Sequence, residues 1–195
     1  MAVHVTPKVL VFAGSSRTGS FNKQLAQAAA KALALMRAEV TMIALADYPL
    51  PLVDEDLVRQ RGVPENAVRL ARMFAAHDAL FIASPEYNAS IPPLLKNAID
   101  WISLVEVDGG RPVRPFDGLT VALGAASDRP HGGAICLQHL RAVLVEAGAL
   151  VVSQQVLLAG AATGFGDDGM PADRISGLDG ACKALLDHCM PGRGR

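Results

Sequence analysis

The residues Gly14-Ser15-Ser16-Arg17-Thr18-Gly19-Ser20-Phe21-Asn22 gather hydroxyls, a guanidinium, an amide and two glycines into one short stretch. The apolar run Val9-Leu10-Val11-Phe12-Ala13 precedes them, and an alanine-rich helical pattern from Leu25 to Met36 follows. Strand, loop and helix in that order turn unpaired N–H groups and the positive end of a helix dipole toward a ligand. Serine hydroxyls and one arginine add donors that can wrap a phosphate monoester. Spacing narrows the phosphate. A nucleotide-triphosphate loop, G-x-x-x-x-G-K-[ST], finds Gly14 and Gly19 in place but Ser20 where the lysine must stand, so nothing there reaches a β- or γ-phosphate. A dinucleotide fingerprint, G-x-G-x-x-G, finds Ser16 at its middle glycine, and the Cβ obstructs close approach to a pyrophosphate. A loop of this make-up suits a single terminal phosphate. An ordinary βα turn with Ser20 as helix N-cap is the plainer reading of the same residues.

A second polar loop follows a later apolar run: Ser84-Pro85-Glu86-Tyr87-Asn88-Ala89-Ser90-Ile91-Pro92-Pro93. Pro85 removes a backbone donor and ends the strand, and Pro92 and Pro93 set the entry to a helix. The backbone between them can read a heteroaromatic ring that alternates donors and acceptors, with Tyr87 beside the ring or simply half-buried at the surface. Lys96, Asn97 and Asp100 read as residues that cap and pin the following helix. Trp101, the only tryptophan, reads as packing rather than ligand stacking. A third loop, Ser127-Asp128-Arg129-Pro130-His131-Gly132-Gly133, carries two cationic candidates, Arg129 and His131.

The elements that must position these loops alternate. Strands are expected at Lys8–Ala13, Val40–Leu45, Ala79–Ser84, Thr120–Ala125 and Leu150–Gln155. Helices are expected at about Ser20–Arg37, Glu65–Ala76, Pro93–Ser103, Gly133–Glu146 and Asp173–Cys189. A long irregular stretch covers Ala46–Pro64, and a Gly-, Pro- and Arg-rich loop covers Val107–Gly118. This is the pattern of an α/β domain with a parallel sheet. Five strands suit either doubly wound order, and in both the ligand lies at the carboxyl ends of the strands beside the switch point. The loops after the first, third and fourth strands should therefore converge.

Length and composition agree with one domain over residues 1–195, with 1–7 and 191–195 flexible. Half the chain is apolar and 19% is charged, which fits a globular protein. A net charge of -1 gives no reason to expect nucleic acid or an anionic membrane as partner. No uncharged apolar stretch reaches the ~18 residues of a membrane span, and the first residues lack a signal-peptide layout. Cys136, Cys182 and Cys189 are an odd count without metal-ligand spacing, so no metal is expected. Together these favour the cytoplasm. Asn88-Ala89-Ser90 matches a glycosylation sequon and reads as chance.

The first two motifs carry a resemblance. Gly14-Ser15-x-Arg17-x-x-Ser20-x-Asn22, together with Pro85-Glu86-Tyr87-Asn88-x-Ser90-x-Pro92-x-x-Leu95-Lys96-Asn97-Ala98-Ile99-Asp100-Trp101, resembles the NAD(P)H-dependent FMN reductases, a family that includes flavodoxin-like quinone, chromate and azo-dye reductases. The resemblance runs from Lys8 to about Asp187. It implies a flavodoxin-like doubly wound five-stranded parallel sheet with helices on both faces. It also implies bound FMN, NAD(P)H as donor, and hydride transfer through FMN to quinones or similar small acceptors such as chromate, azo or nitro compounds. Carried over, Ser15, Arg17, Ser20 and Asn22 hold the FMN phosphate, with Phe21 contributing backbone. Pro85, Glu86, Tyr87, Asn88 and Ser90 line the isoalloxazine ring. Ser127, Gly132 and Gly133 match the third loop, where Asp128 to His131 are bulkier than the family's usual turn.

No protein acid or base is required, since the chemistry belongs to the flavin; Tyr87, Arg129 and His131 are the candidates closest to a catalytic role. Arg111 and Arg114, in the extended Val107–Pro115 loop, join Arg129 and His131 as candidates to meet NAD(P)H or the acceptor, each equally readable as a surface charge. The resemblance further implies a homodimer or homotetramer, with the apolar helix Leu94–Leu104 at the interface; the same stripe also suits ordinary core. Three rival functions are a flavodoxin-type electron carrier, a scaffold kept as an interaction module, and a reductase that releases reduced FMN to a monooxygenase. A carrier would be strongly acidic and aromatic, against 5% aromatics and near-neutral charge here, and the intact Arg17, Ser20 and Asn22 argue against the module.

Overall fold

The computed structural model describes residues 5–165, 172–189 and 191. In chain order the elements are β1 (Lys8–Ala13), α1 (Phe21–Leu35), β2 (Glu39–Ala44), a 3-10 turn (Leu45–Asp47), α2 (Glu55–Arg61), α3 (Glu65–Ala76), β3 (Ala79–Ala83), α4 (Pro93–Ser103), β4 (Val107–Asp108), β5 (Arg111–Pro112), β6 (Thr120–Ser127), α5 (Ala134–Glu146), β7 (Leu150–Ala159), α6 (Ala161–Gly164) and α7 (Ala172–His188). The main sheet runs β2-β1-β3-β6-β7, and every pairing in it is parallel. Of the two orders open to the sequence, this is the flavodoxin-like one.

Period-two alternation splits the core into two layers. Leu10 and Phe12 of β1 pack with α3, α4 and α5, while Val9 and Val11 pack with α1 and α7. Along α4, Leu95, Ala98, Ile99, Trp101 and Ile102 are buried, so the apolar stripe expected at a subunit interface is the core of the molecule. Each large apolar side chain there contributes roughly 1.5–3 kcal/mol, against about 0.3–0.5 for the exposed Lys96–Asp100 pair; packing sets this helix's place. Trp101 is fully buried, and its indole Nε1 donates to the Pro51 carbonyl at 2.7 Å. The Asn97 amide donates to the same carbonyl and accepts from Val53 N–H, pinning the segment before α2.

Three expectations are corrected. The stretch expected to be irregular holds α2: Asp54 accepts from the Asp56 amide as N-cap, Glu55 and Asp56 occupy the first turn, Arg59 and Arg61 the last, and Gly62 ends it at a positive φ of 74°. The loop before β6 contains the hairpin β4–β5, fastened by a bidentate Arg72–Asp108 pair. The last strand continues past Gln155 to Ala159. Its register shifts between Val121↔Val151 and Leu123↔Gln155, which leaves extra residues on β7 as a bulge. Arg141 donates to the carbonyls of Val151 and Val152 there, at 2.8 and 2.7 Å.

Candidate active site

The switch point falls between β1 and β3, so the loops that leave them diverge and open a crevice. Gly14 N–H donates to the Ala83 carbonyl, and Ser84 N–H to Gly124; the three strand ends are thereby tied side by side. A Cβ on Gly14 would lie 2.9 Å from Leu95 Cδ2, which is why glycine starts the first loop. β6 runs on to Ser127 and carries the third loop into the same region.

The first loop has the character of an anion cradle. Ser16 to Gly19 are exposed, while Ser15, Ser20 and Asn22 are buried. Ser20 stands at the N-cap of α1 without a side-chain cap bond. Only 3% exposed, its hydroxyl has no hydrogen-bond partner among the described residues, which a buried donor tolerates poorly. Ser15 Oγ accepts from Arg17 N–H at 3.3 Å. The Arg17 guanidinium lies 5.7 Å from the Phe21 ring centroid, and Phe21 in turn stacks on Phe165 at 6.1 Å and 10°. The cation is thus held over the loop by a ring that a second ring supports. The side-chain amide of Asn22, expected at the phosphate, is paired within the protein. It is 2% exposed, its Nδ2 donates to the Ala126 carbonyl, and its Oδ1 accepts from Ala126 N–H, both at 2.9 Å.

The second loop is a tight two-residue turn. Tyr87 and Ser90 exchange both backbone hydrogen bonds at 3.0 Å, and Asn88 and Ala89 have φ of 48° and 61°, the pattern of a type I′ turn. Ala89 holds a left-handed conformation that costs about 1 kcal/mol for an L-residue. Strain of this kind persists where neighbouring contacts over-determine it, and the neighbour here is α5. Glu86 Oε2 accepts from Cys136 N–H at 3.1 Å, Cys136 Sγ contacts the Pro85 carbonyl and Ser84 Oγ at 3.3 Å, and His139 Nδ1 meets Ser90 Oγ at 3.2 Å. Burial pushes the Cys136 thiol upward, with the Glu86 charge adding and the Ser84 hydroxyl opposing, so at neutral pH it is a packing group and no nucleophile. Tyr87 itself is 50% exposed.

In the third loop Ser127 is half-buried, Asp128 to His131 are exposed, and Gly132 and Gly133 are buried. Ser127 Oγ accepts from Arg129 N–H, and Asp128 Oδ1 accepts from Ala162 N–H at 2.6 Å. Gly133 has φ of 92°, and a Cβ there would sit 2.6 Å from that of Ala125. The structure therefore brings the residues of all three expected loops to one edge. It does not bring Arg111 and Arg114 there: they belong to the segment before Thr120, and Thr120 pairs with Ala79 at the other end of the sheet. A cavity of about 540 Å³ between Ser103, Glu106, Arg114, Phe116 and Glu146 lies at that far end. Phe165, Cys136 and His139 were not read from the sequence as parts of the site. Each reaches it through tertiary packing, and no local spacing announces such a partner.

Residues 7–163 match the family model described as NADPH-dependent FMN reductase. The quinone reductase of Escherichia coli strain K12 is 36% identical over 154 residues, 78% of this chain and 77% of that one. The NAD(P)H-dependent FMN reductase of Pseudomonas aeruginosa is 40% identical over 139 residues, 71% of this chain and 69% of that one. Among solved structures, a flavoenzyme NAD(P)H:(acceptor) oxidoreductase from Paracoccus denitrificans superposes with a TM-score of 0.75 at 28% identity, covering 95% of this chain and all of the other.

Proposed function

This chain belongs to the NADPH-dependent FMN reductase family, and on that footing we propose that it reduces quinones or similar small acceptors with electrons from NAD(P)H. Membership makes it a flavin-dependent oxidoreductase that works with FMN and NAD(P)H. The observation that carries the site assignment is the buried, unpartnered Ser20 hydroxyl at the mouth of α1, beside the exposed Arg17. Among the described residues Ser20 has no acceptor and Arg17 no counter-charge, and a phosphate monoester supplies both. The residues present fit FMN.

On this reading Ser15, Arg17, Ser20 and the amides from Ser16 to Phe21 hold the phosphate. The second loop, from Pro85 to Ser90, offers its backbone to the flavin ring, and its rigid turn keeps Tyr87 at the solvent side of the crevice. Gly132 and Gly133 let the third loop close tightly against β7 and β6 at the same edge. When bound, FMN supplies a ring that accepts two electrons as a hydride and passes them on together. The exposed Arg129 and His131 would meet an entering donor or acceptor molecule on this reading, with no proton transfer asked of them. A homodimer or homotetramer is proposed from the exposed apolar side chains beside α4, of which Leu52 is 78% exposed on the segment that Asn97 pins. A monomer in sedimentation would remove that part. Among the described residues no helix is long and apolar enough to cross a membrane, and none of the His, Cys, Asp and Glu groups there could hold a metal ion; a cytoplasmic location is proposed.

The test is anaerobic mixing of the flavin-loaded protein with NADH and with NADPH, followed by a benzoquinone. Bleaching of the flavin band by the nucleotide, then its recovery with quinone, is the expected sequence. A band that stays unbleached with both nucleotides sinks the reductase reading. Loss of the flavin during gel filtration after reduction would favour release of reduced FMN to a partner.

A further inference from the structure

We propose that Asn22 and Glu86 are positioning residues that lock the three loops into one unit, rather than ligands of FMN; the proposal rests on the FMN reading above. The resemblance alone would make both of them ligands. Their hydrogen bonds argue otherwise. Asn22 is almost fully buried, and both ends of its amide are matched to the backbone of a single residue, Ala126. This pair of bonds imitates one rung of a strand pairing and joins the start of α1 to the end of β6. Glu86 works on the other side. Its carboxylate accepts from Cys136 N–H, in the first turn of α5, where amides have no acceptor within the helix. Gly133, at the N-cap of α5, supplies no side-chain cap of its own. A residue of the second loop therefore caps the helix that follows the third, and its negative charge meets the positive end of that helix.

Ala126 and Cys136 flank the third loop, one before Ser127 and the other after Gly133. Asn22 grips one side of it from the first loop, and Glu86 grips the other from the second. The Cys136–Pro85 and His139–Ser90 contacts run parallel to the Glu86 strut. The contrast with Ser20 separates the two roles. Ser20 is as deeply buried as Asn22, yet its hydroxyl has no partner among the described residues, whereas Asn22 is paired at both ends. The polar groups of the first loop divide into those already used by the protein and those left for a ligand.

The test uses the full chain, stripped of flavin and reloaded. Two quantities are read: hydrogen exchange at the amides of Ala126 and Cys136, and the Kd for FMN from quenching of flavin fluorescence. Asn22→Ala should speed exchange at Ala126 in the flavin-free protein and raise the Kd about tenfold, the scale of one buried hydrogen-bond pair. Glu86→Ala should do the same at Cys136. Glu86→Gln keeps an oxygen acceptor for that amide and should restore both readings. In the double variant the combined loss of binding free energy should be smaller than the sum of the two single losses, because each frees the same loop. Weaker FMN binding with unchanged exchange would make these residues direct ligands and overturn the proposal, as would unchanged values of both. If Asn22→Ala fails to fold, the Glu86 pair decides alone. If the parent protein itself binds no FMN, the cofactor assignment fails, while the exchange readings still decide whether the struts exist.

Discussion

Replacing Arg17 by alanine removes the only guanidinium of the phosphate loop and leaves in place the Lys23 ammonium, which donates to the Ser16 carbonyl. The side chain is exposed and held over Phe21 at 5.7 Å, so the variant leaves the core intact and the melting temperature of the flavin-free protein should not move. A hydrogen bond to a charged group contributes about 1.5–3 kcal/mol. Solvent around the guanidinium screens it toward the lower end of that range. The contact with Phe21 exists before and after binding, so its own energy cancels; what it adds is orientation. A loss of about 1.5–2 kcal/mol corresponds to a Kd for FMN raised roughly 10- to 30-fold. Arg17→Lys keeps the charge but not the planar fork and should fall between. Phe21→Leu, which removes the supporting ring and its stack on Phe165, should cost only about 2- to 5-fold. Flavin-stripped protein is titrated with FMN at low and at high salt. The parent should lose affinity as salt rises, and Arg17→Ala should lose much less. An Arg17→Ala protein that binds FMN as tightly as the parent, or that keeps the parent's salt dependence, would refute the assignment of Arg17 to the phosphate.

Two further outcomes follow from the geometry. Gly133→Ala puts a Cβ 2.6 Å from that of Ala125 at a φ of 92°; left-handed strain of about 1 kcal/mol plus overpacking of about 1–3 should lower Tm by roughly 4–16 °C in scanning calorimetry. An unchanged Tm would mean that the third loop re-forms freely. The second outcome concerns alkali. Burial pushes the Cys182 thiol from 9.0 to about 12, with Asp179 adding to the shift, and Cys189 is raised to about 11, again mainly by burial. The folded state keeps protons that the unfolded chain gives up above pH 9.0, so this stability is whole below that pH and drains away as pH climbs through the folded values. The urea midpoint should fall from about pH 8 to about pH 10, and Cys182→Ala should flatten that fall even while it lowers the midpoint at neutral pH; a midpoint level across the range would contradict the shift.

Much of the frame was legible because it rests on local periodicity. Val9 to Ala13, Ala79 to Ala83 and the α4 pattern from Pro93 to Ser103 announce themselves, and the Pro92-Pro93 pair marks the start of that helix. The sheet order was not legible, since either doubly wound order buries the same strands. The helix α2 is short and buries none of its residues, so it lacks the apolar stripe by which helices are read, although Asp54 and Gly62 bracketed it. The strand β7 was cut short at Gln155 because Ser153-Gln154-Gln155 falls at a bulge whose carbonyls Arg141 holds. In the site, residue types were legible and partners were not. Asn22 and Ser20 look alike in sequence as donors to a phosphate; only the position of Ala126, 104 residues from Asn22, tells them apart.

That division bears on where the third loop departs from the turn that the resemblance implies. Ser127, Gly132 and Gly133, which keep the pattern, are the residues against which the frame closes: Gly132 and Gly133 are buried, and a Cβ on Gly132 would meet the backbone of Leu158 and Ala159 at 3.2–3.3 Å. Arg129, Pro130 and His131, which depart from it, are exposed; the Arg129 backbone N–H donates to Ser127 Oγ, but none of their own side chains hydrogen-bonds another described residue. Asp128 departs as well, but turns its carboxylate to the Ala162 amide and so anchors the loop to the segment after β7. Apart from Asp128, change is thus confined to side chains that the frame does not use, and the loop can alter what it shows to an incoming molecule without disturbing the struts at Ala126 and Cys136. A charged, bulky sequence at 128–131 is consistent with an intact flavin site for this physical reason.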